Sequence, residues 1–437
     1  MALRSDSTLW AWGFNGNGQL GIGNHAQQLS PVLLDTLHHW KDVSAGGFHT
    51  LAIAVDGSMW AWGLNVKGQL GNGSTAESTV PVQVGSSTGW MMISAGQAHN
   101  LALKSDSSLW AWGFNIAGMV GDSTTVDKKV PVNIMPGKKW KSVSAGGAHS
   151  LAVDAGGHLW AWGDNSVSQL GDTTVTQAIV PLMIGSDSDW VAVSAGYAFS
   201  TAIKSDGSIW SWGFNGNGQL GQGSTSIVST PMKIGASNDW KTIVAGASFA
   251  FAIKNDSSLW AWGFNGQGQL GLGNNLQQKS PVQVGTDSKW VFVSAATGFA
   301  YNNSVYGLHS VGIGAGNEDQ LCAAGANYAG QLGNGSTTAS QVFDCNTGLI
   351  SALDDLYAEA AGVAVFPNPA SHFINLKSDD EITTCEMFNA LGQKIDPPFS
   401  SSGSFVKIEV SSLEEGIYLL RIKTVKALIT RKVLVEH

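Results

Sequence analysis

Short runs of alternating apolar and polar residues recur along most of the chain, and the pattern repeats every fifty residues. The repeat at 40–84 reads WKDVSAGGFHTLAIAVDGSMWAWGLNVKGQLGNGSTAESTVPVQV and contains four such runs between glycine-rich or polar turns. Alternation over a few residues predicts a half-buried β-strand, and the runs lack the helical period of about 3.6 residues. Four short strands per repeat predict the blade of a β-propeller.

All eighteen tryptophans fall on this repeat, in three series with a step of fifty residues. Two of the series stand two residues apart in the third predicted strand, as Trp60 and Trp62 do, so both rings project from one face of the sheet. Packing such a face on the next blade buries about 150–250 Å² per indole. We therefore expect the tryptophans to hold neighbouring blades together. The series run from Trp10 to Trp260, from Trp12 to Trp262 and from Trp40 to Trp290.

A degenerate seventh unit follows the six clear copies. LCAAGANYAGQLGNGST at 321–337 aligns with the tryptophan-rich block, but Cys322 and Ala324 stand where the other copies have tryptophan. Cys345 lies in the same unit, and an oxidising exterior permits a disulfide between Cys322 and Cys345 that offsets the lost tryptophans. The alternative is a pair of free thiols. Cys385 is expected to be a small buried hydrophobe.

The first copy lacks an inner strand, because the recorded sequence begins with MALRSDSTLWAWG, in the middle of a repeat. TGLISALDD at 347–355 weakly echoes the inner-strand sequence TGWMMISAG at 88–96. We therefore predict an all-β ring of seven blades over residues 1–347, with 348–361 closing the ring against residues 1–8 and serving as a linker. The alternative explanation for this start is a permuted ring.

The consensus of the copies, VSAGG-HTLA--DG-LWAWG-N--GQLG-G, resembles the regulator of chromosome condensation repeat family. Kelch repeats share the length but lack the Gly-Gln-Leu-Gly block, and WD repeats are shorter. The resemblance implies a seven-bladed β-propeller. Some members exchange nucleotides on a small GTPase, and one is a plant ultraviolet-B photoreceptor. A secreted bacterial β-lactamase-inhibitor protein with similar repeats grips a protein through loops on one face.

Residues 362–437 differ in composition, since they contain no tryptophan and more charged side chains. Their period-two alternation between turn residues predicts a small β-sandwich. The segment resembles the type A sorting domain of the type IX secretion system of Bacteroidetes-type bacteria, which implies an Ig-like sandwich recognised by the secretion machinery. Because that route begins with inner-membrane export, we expect a signal peptide upstream of the recorded start. The matching motif residues are Pro367, Asn368, Pro369, Leu391, Gly392, Gln393, Gly416, Ile417 and Tyr418.

Two motifs suggest chemistry and are better explained by structure. GNGQLG at 16–21 fits the dinucleotide pattern G-x-G-x-x-G, but it leads into a polar loop and Pro31 instead of a helix. His49, His99 and His149 share one repeat position, but equivalent positions on separate blades lie too far apart for one metal ion. We expect each histidine to be buried and hydrogen-bonded within its own blade.

The sequence supports neither catalysis nor a cofactor or metal. It contains no zinc-protease motif, no credible nucleophile elbow and no carboxylate pair tied to a pocket. A turn role is expected for the aspartate that recurs in the predicted hairpin turns. The net charge of −9 gives no support for a nucleic-acid partner, and no run of 18 apolar residues predicts a transmembrane segment.

The position after each Trp-Gly varies, which predicts an exposed loop that forms an arc on one rim of the ring. Asp164 of the fourth copy favours exposure, since carboxylates are rarely buried without a partner; the alternative is packing between blades. We predict a secreted or surface-bound, non-enzymatic binding or adhesion propeller for a protein or glycan. The alternatives are an enzyme, or its accessory domain, with a catalytic part outside this sequence, and then an exchange factor. The candidate ligand-binding residues are Phe14, Leu64, Phe114, Phe214 and Phe264.

Overall fold

The alternating runs form β-strands, and the strands of each fifty-residue copy pair into one antiparallel sheet. In the computed structural model the chain divides into two units, Met1–Gly348 (unit 1) and Leu349–His437 (unit 2). All described residues belong to strands, turns or irregular segments, so the fold is all-β as predicted. The structure describes residues 1–4, 6–35, 37–286, 289–296, 299–301, 304–306, 308–314, 320–345, 363–366, 370–378, 380–389, 394–425 and 428–435.

Seven of the sheets in unit 1 are called blades I to VII here. Blade I consists of β1 Ala2–Leu3, β2 Leu9–Gly13 and β3 Gln28–Leu33. Blade II consists of β4 Trp40–Ala45, β5 His49–Ala54, β6 Met59–Gly63 and β7 Ser78–Gln83. Blade III consists of β8 Trp90–Ala95, β9 His99–Lys104, β10 Leu109–Gly113 and β11 Lys128–Ile134. Blade IV consists of β12 Trp140–Ala145, β13 His149–Asp154, β14 Leu159–Asp164 and β15 Gln177–Met183.

The remaining blades follow the same order. Blade V consists of β16 Trp190–Ala195, β17 Phe199–Lys204, β18 Ile209–Gly213 and β19 Val228–Lys233. Blade VI consists of β20 Trp240–Ala245, β21 Phe249–Lys254, β22 Leu259–Gly263 and β23 Gln278–Gln283. Blade VII begins with β24 Trp290–Ala295, continues through the separate hairpin of β25 Phe299–Tyr301 and β26 Ser304–Tyr306, and ends with β27 His309–Gly314, β28 Gln320–Gly325 and β29 Ser340–Asp344.

The strands of a blade pair in sequence order, so the first strand lies innermost and borders a central channel. Because neighbouring strands are antiparallel, the connections after the first and third strands share one face of the ring. We call this the upper face; in blade II it consists of 46–48 and 64–77. The seven-bladed prediction is confirmed. The segment predicted to close the ring, 348–361, lies outside the described residues.

One backbone carbonyl per blade accepts hydrogen bonds from the next blade. The carbonyl oxygen of Gln19 accepts the indole N–H of Trp62 and the hydroxyl of Thr50, each at 2.9 Å. Gly21 makes room for the indole, since its φ is +76° and a Cβ there would lie 2.7 Å from Trp62 Nε1. The predicted role of this tryptophan series between blades is confirmed. The donor–acceptor pairs are Trp12–Gln331, Trp62–Gln19, Trp112–Gln69, Trp162–Met119, Trp212–Gln169 and Trp262–Gln219.

The prediction that each histidine bonds within its own blade is wrong. His49 Nε2 lies 2.7 Å from Asn100 Oδ1 of the next blade, and the Asn100 amide donates to the Gln69 carbonyl at 2.8 Å. The second strand of each blade starts at the blade boundary, so its first side chain meets the neighbouring sheet. The histidines are therefore buried links of the ring. The equivalent pairs are His99 with Ser150 and His149 with Ser200.

Members of the first tryptophan series contact the first-strand tryptophan of their own blade. In blade V the rings of Trp190 and Trp210 meet edge to face with centroids 5.6 Å apart, and Lys204 Nζ lies 4.7 and 4.9 Å from the two centroids. Trp210 Nε1 donates to the Ser208 hydroxyl, which donates to Asp206 in the hairpin turn. The turn role predicted for this aspartate is confirmed.

Blade VII replaces its missing tryptophans with two other contacts. Cys322 and Cys345 form a disulfide with their Cα atoms 3.9 Å apart. Phe343 occupies the outer-strand position at which the other blades have proline, and its ring packs 4.9 Å from the Trp290 ring and 6.0 Å from the Phe251 ring. An aromatic ring and a covalent link thus fill the space that an indole occupies elsewhere.

Unit 2 contains two four-stranded sheets. The first has the order β30 Val363–Phe366, β31 Phe373–Ser378, β35 Phe405–Glu409 and β34 Phe399–Ser402. The second has the order β33 Lys394–Ile395, β32 Ile382–Asn389, β36 Gly416–Thr424 and β37 Leu428–Val435. Buried aliphatic side chains of both sheets form one core, as in the predicted sandwich.

Three of the predicted sorting-motif residues, Gly416, Ile417 and Tyr418, are described, at the start of β36. Gly416 begins the strand, and the hydroxyl of the buried Tyr418 donates to the Glu414 carbonyl at 2.8 Å. Cys385 is half-buried against the core of the sandwich, and burial raises the pKa of its thiol to about 11. The other motif residues lie outside the described residues: Pro367, Asn368, Pro369, Leu391, Gly392 and Gln393.

We expect unit 1 to lose stability as the pH falls below about 6.5. Burial lowers the pKa of His49 and His149 to about 4 and that of His99 to about 3. The unfolded chain therefore binds protons that the folded chain does not, and the stability that is complete above pH ~6.5 declines toward pH ~4. Urea unfolding at pH 7 and pH 5 measures this loss. His149→Phe, which copies Phe199 of the next blade, should flatten the pH dependence; an unchanged profile would contradict the account.

The disulfide should stabilise blade VII. It closes a loop with a sequence separation of 23 residues, for which chain entropy predicts about 3 kcal/mol. Cys345→Ser should therefore lower the free energy of unfolding of the oxidised protein by about 2–4 kcal/mol. Cys385→Ser provides the control, since this cysteine is free. Equal unfolding midpoints for Cys345→Ser and the unmodified chain would show that the disulfide makes no contribution.

Candidate functional site on the upper face

The long connection after the third strand is folded around one buried asparagine. In blade II, Asn65 Oδ1 accepts the backbone N–H of Leu70 at 2.9 Å, and Asn65 Nδ2 donates to the carbonyls of Ser74 and Ala76. All of these groups lie within a single loop, so the asparagine replaces the regular backbone hydrogen bonds that a loop lacks. The expectation that this asparagine staples the loop is confirmed. The equivalent residues are Asn15, Asn115, Asn165, Asn215, Asn265 and Asn327.

The candidate ligand-binding residues lie on the upper face and are half-buried. The backbone N–H of Leu64 donates to the Phe48 carbonyl at 2.8 Å, which ties the position to the neighbouring turn. The ring of Phe14 lies over Gly16, where a Cβ would come within 2.5 Å of Cζ. The half-buried residues are Phe14, Leu64, Phe114, Phe214 and Phe264. The rings of Phe214 and Phe264 lie over Gly216 and Gly266 in the same way.

Asp164 does not require an exposed position, contrary to the argument from sequence. Its carboxylate accepts hydrogen bonds from Gln169 Nε2 at 2.6 Å and from the Ser166 hydroxyl at 2.8 Å. A partnered carboxylate is tolerated in a half-buried place. Asp164 therefore gives no support for a binding arc, and the proposal of an arc depends on the five candidate ligand-binding residues.

Sequence reasoning missed a series of exposed apolar residues on this face. Two positions after the arc residue, Val66 is 62% exposed, Ile116 is 66% exposed and Tyr328 is 48% exposed. The same position is glycine in blades I, V and VI and Ser166 in blade IV. The sequence signal for these residues is a bulky apolar residue at a position where other blades have glycine. Because these side chains have no core to fill, this signal indicates a role at the surface.

The upper-face loops of blades I to III carry a set of apolar residues, which we call the apolar sector. Phe14 and Phe48 meet with ring centroids 6.3 Å apart. Lys67 Nζ lies 4.7 Å from the Phe114 centroid, so the loop of blade II touches that of blade III. Lys67 also pairs with Asp127 at 3.5 Å, which leaves the sector nearly neutral. The sector consists of Phe14, Phe48, Leu64, Val66, Phe114 and Ile116.

A cavity of about 640 Å³ opens at the central channel beside blade I. Leu3 of β1, Val43 of β4 and Ser294 of β24 are among its walls, and Phe292 is 52% exposed there. Burial lowers the pKa of His309 at the cavity to about 4, so this imidazole is neutral at neutral pH. The described residues contain no group of three potential metal ligands. The cavity is therefore lined mainly by apolar and neutral polar groups, with the carboxyl group of Asp42 as an ionisable group in its wall.

These observations define a seven-bladed β-propeller, followed by a small β-sandwich. The chain belongs to the regulator of chromosome condensation (RCC1) repeat family. The family model matches residues 6–53, 56–103, 106–153, 156–203, 206–253 and 256–301.

Solved structures of the family share the fold. Prp20p of Saccharomyces cerevisiae covers 94% of this chain and 92% of its own length, with a TM-score of 0.70 and 18% identity. Human WBSCR16 covers 78% of this chain and 94% of its own length, with a TM-score of 0.68 and 19% identity. The ultraviolet-B receptor UVR8 of Arabidopsis thaliana is 47% identical over 55 residues, which is 12% of this chain and 12% of the receptor.

Unit 2 has a separate assignment. The model described as Secretion system C-terminal sorting domain matches residues 364–436. The protein is therefore exported by type IX secretion, of the kind found in Bacteroidetes, to the cell surface or the extracellular space. Among the described residues, no helix is long and apolar enough to span a membrane.

The exposure of the apolar sector predicts how its variants behave. Val66→Ser combined with Ile116→Ser should change the free energy of unfolding by less than about 0.5 kcal/mol, as exposed positions do. Phe264→Ser should cost about 2 kcal/mol or more, because Phe264 packs against a buried cluster. Calorimetric unfolding of the purified variants separates the two. A large loss for the Val66 and Ile116 pair would show that they are packing residues.

Proposed function

We propose that the protein is a secreted or cell-surface, non-enzymatic binding or adhesion propeller that captures its ligand on the apolar sector. The observation that carries the proposal is the exposure of Val66 and Ile116 beside half-buried aromatic rings, on loops held by buried asparagines. Exposed apolar clusters of a few hundred Å² commonly mark interaction sites. Loops on a rigid scaffold are the usual place for binding residues.

The chemistry of the sector favours a protein ligand over a glycan. Val66 and Ile116 are branched aliphatic side chains, which suit an apolar protein surface, and aromatic anchors such as Phe14 contribute strongly to protein interfaces. A glycan site needs convergent polar groups, whereas the sector has one ion pair, Lys67 with Asp127. We therefore propose a protein with an exposed apolar patch as the ligand.

The alternatives have less support. Prp20p is described as binding Gsp1p and histones, but histones are intracellular, whereas this chain carries an export label. An enzyme would need catalytic groups that converge on a pocket. Instead, the channel cavity is lined mainly by apolar and neutral polar groups beside Asp42, and burial lowers the pKa of its two histidines, His49 and His309, to about 4. An accessory role beside a catalytic domain is compatible with the same binding surface.

The binding proposal is tested by capture on the immobilised full chain. Bacterial and host surface extracts are passed over the unmodified chain and over Val66→Ser with Ile116→Ser, and bound proteins are identified by mass spectrometry. A specific ligand should be retained by the unmodified chain and reduced at least tenfold by the double variant. Val55→Ser is the matched control, since Val55 is 59% exposed in a lower-face turn. Equal loss with Val55→Ser, or no loss with the double variant, would contradict the sector.

The two units should be separable, with residues 1–347 as the binding domain and 362–437 as the sorting domain. Deleting 362–437 from a chain that carries an inner-membrane export signal should leave a folded propeller in the periplasm. Unit 1 contains its own buried clusters, so its unfolding midpoint should change little. Surface labelling and fractionation measure the location. Unchanged surface display after the deletion would contradict the sorting role.

A further inference from the structure

Two exposed phenylalanines lie on the outer face of the first sheet of unit 2. Phe373 of β31 and Phe405 of β35 are each 39% exposed. Burial alternates along both strands, and Leu376 and Val406 are directed into the core, so the phenylalanines belong to the solvent side. Exposed apolar groups that cluster on one face commonly mark an interaction site.

Two lysines accompany the rings on this face. Lys377 pairs in register with Phe405. Lys407 Nζ lies 3.7 Å from the centroid of the Phe373 ring, within range of a cation–π interaction. Phe373, Lys377, Phe405 and Lys407 therefore alternate across two adjacent strands, and we call them the Phe–Lys face. Glu409, opposite Phe373, is the acidic side chain of the same side.

We propose that the Phe–Lys face is the surface through which unit 2 docks on the secretion machinery. The partner surface on that machinery then presents carboxylates beside an apolar pocket. The inference rests on the proposed role of unit 2 as a sorting domain and adds the surface and the chemistry of its partner. Carboxylates complement Lys377 and Lys407, and an apolar pocket accepts the phenylalanine rings. Aromatic anchors of this kind dominate the energy of protein interfaces.

Charge and area favour a protein over a lipid surface. Two lysines and one glutamate give the face a net charge of +1, whereas binding to anionic lipid is typical of clusters of about 4–8 basic residues. Two adjacent strands of five residues cover roughly 160 Å². This is about a fifth of the ~800 Å² that each partner buries in a stable complex. A contact of this size is typical of a transient complex, and a sorting domain that must be released from the secretion machinery requires such a complex.

The test reverses the charge of the face in the full chain. Lys377→Glu with Lys407→Glu, expressed behind an export signal in a bacterium with type IX secretion, should reduce surface display at least tenfold and accumulate in the periplasm. Arg421→Glu with Lys423→Glu is the matched control, because it changes the same charge at exposed positions of the other sheet. The control should be displayed normally. Phe373→Ser with Phe405→Ser should reproduce the loss without any change in charge.

Trypsin resistance of each purified full-length variant shows whether unit 2 is folded. Normal display of a folded Lys377 and Lys407 double variant would overturn the inference, and so would an equal loss in the control, since net charge would then explain the effect. Binding of the unmodified chain to phosphatidylglycerol vesicles, lost in the same variant, would assign the face to lipid and also overturn it. If deletion of 362–437 leaves display unchanged, the sorting role itself fails. If the deletion abolishes display but the Lys377 and Lys407 double variant is displayed normally, this inference fails and the sorting role of unit 2 stands.

Discussion

The ring depends on one hydrogen-bond acceptor per blade, the backbone carbonyl in the Gly-Gln-Leu-Gly block. At Gln19 this oxygen accepts both an indole N–H and a hydroxyl from the next blade, so its two lone pairs are satisfied in a buried place. A buried carbonyl without such partners would cost about 1–3 kcal/mol. The interaction requires tryptophan on one blade and a glycine beside the carbonyl on the other, where a Cβ would meet the indole. These two requirements explain why the same short block recurs along the chain.

Blade VII shows what happens when this constraint is relaxed. Ala324 stands at the position of the linking indole, and the boundary with blade VI keeps the bond from the Ser310 hydroxyl to the Gln269 carbonyl at 2.6 Å. The Cys322–Cys345 disulfide and the ring of Phe343 occupy the vacated space. Trp12 of blade I still donates to the Gln331 carbonyl at 2.9 Å, so the indole link joins the last blade to the first. The upper-face loops therefore rest on a continuous support, which keeps the entropic cost of ordering a binding surface low.

Local sequence patterns predicted the strands, the number of blades and the sandwich, because these follow from side-chain period and turn chemistry. Sequence patterns could not predict which blade a buried polar group faces. His49 bonds to Asn100 of the next blade, and these two residues come together only when the two sheets pack. The same limit applies to Asp164. Its partner Gln169 is only five residues away in the sequence, but the fold of the loop decides that the two side chains meet. Val66 and Ile116 were missed because exposure within a loop depends on its three-dimensional path.

The central claim, a ring held by indole-to-carbonyl bonds at six blade boundaries, is tested most directly by hydrogen exchange of the tryptophan indoles in the full chain. NMR with ¹⁵N-labelled tryptophan resolves the side-chain N–H signals, and single Trp→Phe variants assign them. The account predicts that Trp12, Trp62, Trp112, Trp162, Trp212 and Trp262 exchange through global unfolding alone. The half-buried series that includes Trp60 and Trp210 should exchange faster by local opening. Fast exchange at Trp12, or equal rates in both series, would contradict a ring closed by these bonds.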